Sequence, residues 1–344
     1  MKKLLNTVYV TTEGAAVKKD GENLVVEIEG VERMRVPLHR LQSVVVFGAV
    51  LLTPPLIQAC ATAGITVVLL DRAGRFQARI EGPVSGNVLL RRAQYARADA
   101  AHDIVRAFVC GKIANQRAVL QRALRDHGDD MEPSARAAAE DAVERLARSL
   151  RRAALAPIET DELRGLEGDA ARLYFAVFGG LIRAPDPEIR FDGRSRRPPL
   201  DPVNALLSFL YTLLVHDCRS ALEGVGLDPA VGFLHRDRPG RPSLALDLME
   251  ELRPVLADRL ALSLLNRRQL RSRDFDRRDG GAVWLGDDGR KTVLTAWSER
   301  KKEERRHPFL DEPAPLGLVP HLQAQLLARH LRGDLDAYPP WLWK

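Results

Sequence analysis

The chain has 344 residues, 45% of them hydrophobic and 28% charged, with a net charge of +6. That is enough apolar material to bury a core, enough charge to stay soluble, and enough length for two domains. Three cysteines (Cys60, Cys110, Cys218) lie far apart without a CxxC pair, which argues against a disulfide framework or a zinc cluster. The start, Met1-Lys2-Lys3, fits no signal peptide, and the longest apolar run, Val44 to Leu52, is too short to cross a bilayer. The expectation is a soluble cytoplasmic protein with no membrane partner. Its positive excess is mostly arginine, whose planar fork matches phosphate oxygens, so a polyanionic partner is favoured. An arginine-rich proteome is the competing explanation.

Residues 1–81 read as a small β-rich domain. Thr7 to Thr12, Leu24 to Glu29, Met34 to Leu38 and Ser43 to Phe47 are short β-branched runs punctuated by turn residues. Pro54 to Ala63 reads as a short helix, and Thr66 to Leu70 and Arg75 to Ile80 as strands flanking an Asp71-Arg72-Ala73-Gly74 turn. Residues 82–92 read as a linker, most clearly at Gly82-Pro83-Val84-Ser85-Gly86-Asn87. Residues 93–344 form a larger all-α domain, so the fold class is α+β.

Within that domain the apolar spacing from Ala101 to Leu124 predicts a helix ending at His127-Gly128, and Ser134 to Ala156 predicts a second. Thr160 is the expected cap of a third, running to Phe178. On it Glu167 is unusual, because small Gly168, Ala170 and Ala171 surround it and permit another helix to come close. Such an acid points inward and needs a cation, or it is an exposed residue on a glycine-bracketed turn; both readings stand at this point. The loop Arg190-Phe191-Asp192-Gly193-Arg194-Ser195-Arg196-Arg197 is a phosphate-contact candidate. Asp201 begins a strongly apolar helix, on which Cys218 reads as packing and His216 as incidental.

The segment Gly232-Phe233-Leu234-His235 leads through a Pro/Gly/Arg loop to a helix for which Ser243 is the expected N-cap. Asp247 and Glu250, three apart, lie on one face of that helix, and the loop can fold His235 over it. One imidazole and one or two carboxylates ringed by arginine are the makings of a site for a divalent ion and a phosphate. The alternative is a solvated amphipathic helix beside a surface histidine. The helix continues past Pro254 to Leu265, and Arg267, Arg268, Arg271 and Arg273 open the densest basic stretch of the chain. Ala282 to Leu285 reads as half of a hairpin or as a strand leading into helix, and Leu316 to Leu331 as a last amphipathic helix. The aromatic end, Tyr338-Pro339-Pro340-Trp341-Leu342-Trp343, is apolar enough to dock on something. No phosphate loop, dinucleotide fingerprint or HExxH is present.

Three segments taken in order, Leu166-Glu167-Gly168 with Ala171-Arg172, Arg197-Pro198-Pro199 with Asp201-Pro202-Val203-Asn204-Ala205, and Gly232-Phe233-Leu234-His235 with Ser243 to Glu250, resemble the CRISPR-associated protein 1 family. The resemblance implies a metal-dependent DNA integrase and endonuclease of CRISPR adaptation. The family's metal triad falls on Glu167, His235 and Glu250, with Mg²⁺ or Mn²⁺ as the ion, and Asp247 matches a supporting acid. Arg253 falls where the family has a basic residue near the phosphate, and Tyr211 and Asn204 match pocket positions. Arg190, Arg194, Arg196, Arg197, Arg267, Arg268, Arg271 and Arg273 are then candidates to hold DNA. The resemblance further implies a homodimer through the β-rich domain and two dimers bridged by CRISPR-associated protein 2. The Tyr338-Pro339-Pro340-Trp341 ending looks like the type I-C variant. A general metal-dependent nuclease and a non-catalytic DNA-binding scaffold are the competing readings.

Overall fold

The structure, a computed structural model, describes residues 6–72, 76–82, 88–195 and 197–343. Arg196, most of the Gly82–Asn87 stretch and the Ala73-Gly74 turn lie outside those residues. The chain divides into two compact units, with the boundary after Ser85.

Among the described residues, the first unit holds eight strands and one α-helix. They are β1 (Asn6–Val10), β2 (Ala16–Asp20), β3 (Asn23–Ile28), β4 (Val31–Pro37), β5 (Leu41–Phe47), β6 (Leu51–Leu52), α1 (Pro54–Thr62), β7 (Thr66–Leu70) and β8 (Phe76–Ile80). One sheet has the order β4-β3-β2-β6 and the other β1-β5-β7-β8. β2–β3 and β3–β4 are antiparallel neighbours joined by tight turns, whereas β1, β5 and β7 run parallel. Parallel pairing needs crossovers, which β2–β4 and α1 supply. Val8, Val17, Leu24, Val44, Leu56, Cys60 and Val67 belong to one apolar core shared by both sheets.

The second unit begins with α2 (Val88–Arg97), so helix occupies much of the expected linker, and continues with α3 (His102–His127), α4 (Pro133–Leu155), α5 (Thr160–Phe178) and α6 (Pro202–Val225). Then come α7 (Ser243–Arg253), one π-type turn over Pro254–Asp258, α8 (Arg259–Asn266), β9 (Phe275–Arg277), β10 (Val283–Leu285), α9 (Asp287–Lys302), β11 (Glu304–Arg306), β12 (Pro313–Pro315) and α10 (Val319–Leu331). It is therefore not all-α: β9 with β10 and β11 with β12 make two antiparallel ribbons. Val283–Leu285 pairs backward with Phe275–Arg277, and the residues after it open a helix, because Asp287 and Asp288 favour the positive end of a helix dipole.

Two expected caps fall differently. Thr160 is the first helical residue after Glu159, and its hydroxyl meets His102 Nδ1 at 3.1 Å. Ser243 follows Pro242 as the first residue of α7 and is fully buried, its hydroxyl directed to the Arg236 carbonyl at 3.3 Å. α3 lies at the centre, packed on α4, α5 and α7, while α6 packs on α7 and α10. Phe108, Ile113 and Leu120 of α3 and Leu244, Leu248 and Leu252 of α7 are completely buried. That arrangement sets the acids of α5 and α7 on either side of one α3 side chain. Among the described residues no helix is long and apolar enough to cross a membrane.

Candidate metal centre

The site forms where the loop before α7 returns onto it. Gly232 permits the return, because a Cβ there would stand 2.7 Å from Ser243 Cβ and 2.9 Å from the His235 carbonyl oxygen. Asp247, fully buried, then holds the loop. Its Oδ2 accepts the Phe233 and Leu234 amides at 2.6 and 2.9 Å. Its Oδ1 accepts the His235 amide at 2.8 Å and lies 2.6 Å from His235 Nδ1. A carboxylate is an acceptor only, so the imidazole donates from Nδ1, and in the neutral ring the lone pair is on Nε2. Nε2 faces Glu250 Oε1 at 3.9 Å. A carboxylate behind a histidine in this way fixes both tautomer and ring orientation, as it does in metal sites.

Glu250 is 2% exposed. Burial alone would raise its pKa, but the positive charges of Arg253 and Lys112 outweigh that and hold the carboxyl well below the usual range. Arg253 Nη2 lies 3.0 Å from Oε1, and Lys112 Nζ lies 2.6 Å from Oε2. The same Lys112 ammonium pairs with Glu167, which is 24% exposed and so turned substantially inward. Glu167, His235 and Glu250 are thus brought together from α5, the loop and α7.

Arg164, one turn before Glu167, joins the first two pieces: its Nε donates to the Leu234 carbonyl at 2.8 Å and its Nη2 to that of Phe233 at 3.1 Å. Arg253 stacks over Tyr211 at 4.6 Å from the ring centre, and Tyr211 donates to Asp258 at 2.6 Å. Burial pushes the Asp258 carboxyl up to about 6, against the opposing effect of the Tyr211 hydrogen bond. Pro254 lacks an amide hydrogen, and the widened turn that follows it carries Asp258 beneath Tyr211.

Asn204 is fully buried; its amide donates to Gly193 and Asp201, and its oxygen accepts from Arg194 and Ser195. It is a brace for the 193–195 loop rather than a pocket wall. Arg194, also a DNA-contact candidate, is turned inward to the Ser195 carbonyl and Ser208 and over the Tyr211 ring. Arg190, Arg197, Arg267, Arg268, Arg271 and Arg273 are exposed. Cys218 is completely buried.

The sequence reading gave no role to Arg164, Asp258, Lys112 or Glu251. Lys112, 2% exposed, carries a signal in hindsight: a lysine four residues after Phe108 and one before Ile113 sits on the apolar stripe of α3. Glu251, fully buried, turns away from the site toward the chain end. Its oxygens accept from Tyr338 Oη at 2.5 Å, Gln323 Nε2 at 2.9 Å and the Trp341 amide at 2.9 Å. Asn115 Nδ2 adds bonds to the Glu251 and Trp341 carbonyls, so the aromatic end docks within this subunit.

One imidazole nitrogen and two carboxylates, one with a buried oxygen that lacks an aligned hydrogen bond, are a donor set that fits Mn²⁺ or Mg²⁺. As the side chains stand, with Lys112 between the acids, no three such groups among the described residues are close-set enough to hold an ion.

Residues 8–299 match the family described as CRISPR associated protein Cas1. The chain is 71% identical, over the whole length of both, to CRISPR-associated endonuclease Cas1 2 of Rhodospirillum rubrum. Among solved structures it resembles a Cas1 protein from Thermotoga maritima, with a TM-score of 0.79 and 23% identity over 96% of this chain and 97% of that one. It also resembles a chain of a Cas6-RT-Cas1–Cas2 complex, with a TM-score of 0.82 and 24% identity, covering all of this chain and 36% of that one.

Proposed function

The chain belongs to the Cas1 family, and we propose that Glu167, His235 and Glu250 form its metal-dependent centre for cutting and joining DNA. As a Cas1 protein it is an endonuclease and integrase of CRISPR adaptation. In the reaction the 3′-hydroxyl of a short DNA fragment attacks a phosphodiester at the repeat. The observation that carries the site assignment is the His235 ring: Nδ1 is held by a saturated Asp247, leaving Nε2 as a lone-pair donor toward Glu250.

Glu167, His235 Nε2 and Glu250 would hold the ion, Mg²⁺ or Mn²⁺. Bound there, a divalent ion neutralises phosphate charge and stabilises the leaving oxygen. Asp247 orients the imidazole and does not ligate, since its oxygens already accept four hydrogen bonds. Arg253, ordered by Glu250 and Tyr211, presents its guanidinium beside the reacting phosphate. Arg190, Arg197, Arg267, Arg268, Arg271 and Arg273 contact the DNA backbone. The β-rich unit pairs two copies, CRISPR-associated protein 2 bridges the pairs, and the complex works in the cytoplasm. The Tyr338–Trp341 ending supports a type I-C assignment.

The test is strand transfer of a short duplex with free 3′-hydroxyls into a repeat-bearing plasmid, with CRISPR-associated protein 2 present. Wild type and His235→Ala are compared in Mn²⁺ and in EDTA. Joined product from wild type with metal alone is expected. Cleavage without joining, still dependent on His235, turns the reading to a simple nuclease. Equal products in all reactions overturn the metal centre.

A further inference from the structure

Among the described residues, Lys112 is the cation that pairs with both acids of the candidate centre. Its ammonium pairs with Glu167 and with the buried Oε2 of Glu250 at 2.6 Å. A lysine this buried is held in place only by such partners. Its backbone is fixed as well: a Cβ on neighbouring Gly111 would come within 3.0 Å of both Glu251 Cβ and Pro340 Cβ, so α3 meets α7 and the chain end at minimum separation. Only the flexible four-carbon stem of Lys112 can move.

We propose that Lys112 is a built-in counter-ion for Glu167 and Glu250, and that a divalent cation binds by displacing its ammonium from between them. The inference rests on the metal-centre reading above. It explains why both acids are present and convergent yet not close-set for an ion: the place where their oxygens meet is taken by Nζ. The ammonium and a metal ion seek the same oxygens and repel each other at contact distance. Without the lysine, Arg253 is the remaining cation paired with Glu250, at 3.0 Å. Such a site is more negative by one charge and attracts metal more strongly. The same loss uncovers buried charge when no metal is present, so the metal-free protein is weakened.

The experiment is calorimetric titration of Mn²⁺ into the full chain, together with melting curves with and without Mn²⁺, for wild type, Lys112→Gln and His235→Ala. Lys112→Gln is expected to bind Mn²⁺ at least tenfold more tightly than wild type, to melt lower without metal, and to show the larger rise in melting temperature on adding Mn²⁺. If wild type binds through His235 but Lys112→Gln binds equally or more weakly, the displacement is overturned and the metal centre stands. If wild type binds no Mn²⁺, both fall. A crystal structure of Mn²⁺-loaded wild type decides the matter even if Lys112→Gln fails to fold. Nζ withdrawn from both carboxylates supports displacement, and Nζ still bridging them beside the ion overturns it.

Discussion

Asp247→Asn is the sharpest test of how the site is held. Asp247 is fully buried and accepts four hydrogen bonds, two at each oxygen. An amide has one acceptor oxygen, so its NH₂ must face two donors. Placed at Oδ2, it orphans the Phe233 and Leu234 amides. Placed at Oδ1, it opposes the His235 amide and forces the ring to accept at Nδ1, which moves the proton to Nε2. A hydrogen bond to a charged group contributes about 1.5–3 kcal/mol, so losing one or two costs about 1.5–6 kcal/mol, a large share of a typical total stability. All four tryptophans (Trp284, Trp297, Trp341, Trp343) lie after the unit boundary. Their fluorescence in a urea titration therefore reports the second unit without interference from the first. A loss below about 1 kcal/mol would show that these four bonds do not hold the loop and refute the reasoning. Nitrogen NMR of the imidazole supplies the second readout, with Nδ1 protonated in wild type and a changed tautomer or a mobile ring in the variant.

Three further outcomes are expected. Burial pushes the Glu251 carboxyl up to about 7 from its ordinary 4.5, although its three donors pull the other way. The folded state therefore keeps this proton longer than the unfolded one, and the stability it contributes is lost as pH rises from about 4.5 to 7. Glu251→Gln, which imitates the protonated form, should gain about 3 kcal/mol relative to wild type between pH 5 and pH 8 in urea titrations; a constant difference across that range speaks against the assignment. Trp341→Ala, at a side chain 1% exposed on the docked chain end, should cost about 3–5 kcal/mol, and a loss under 1 kcal/mol would mean the tail is not part of the core. Replacing exposed Arg267 and Arg271 together by alanine should leave stability within about 0.5 kcal/mol. It should also weaken DNA binding evenly across sequences and lower the salt slope by about 2, and a change confined to sequence preference would remove them from the phosphate-contact set.

Much was legible in the sequence because its cause is local. The 3.6-residue apolar spacing marks α3 to α5 with ends close to those observed and the starts of α6 and α7, and Gly232, His235, Asp247 and Glu250 fall within one short stretch. Strand positions in the first unit follow from β-branched runs and turns, but the parallel set β1-β5-β7 does not, since partners far apart in sequence are chosen by a shared core. The strand at Val283–Leu285 was legible, but its partner Phe275–Arg277 was not, because three residues within an arginine-rich stretch carry too little apolar pattern to register.

Tertiary structure alone decided how the charges are used. Glu250 and Glu251 are adjacent and chemically alike, yet one step along a helix turns a side chain by about 100°. One therefore faces His235 and Lys112 while the other faces Tyr338 and Trp341. Local pattern cannot separate them, because each role is set by what packs opposite: α3 on one side and the chain end on the other. Lys112 was hidden in the same way. Its partners come from α5 and α7, and only the close approach of those helices to α3, with α7 meeting it at Gly111, turns a lysine on an apolar stripe into the counter-ion of two acids.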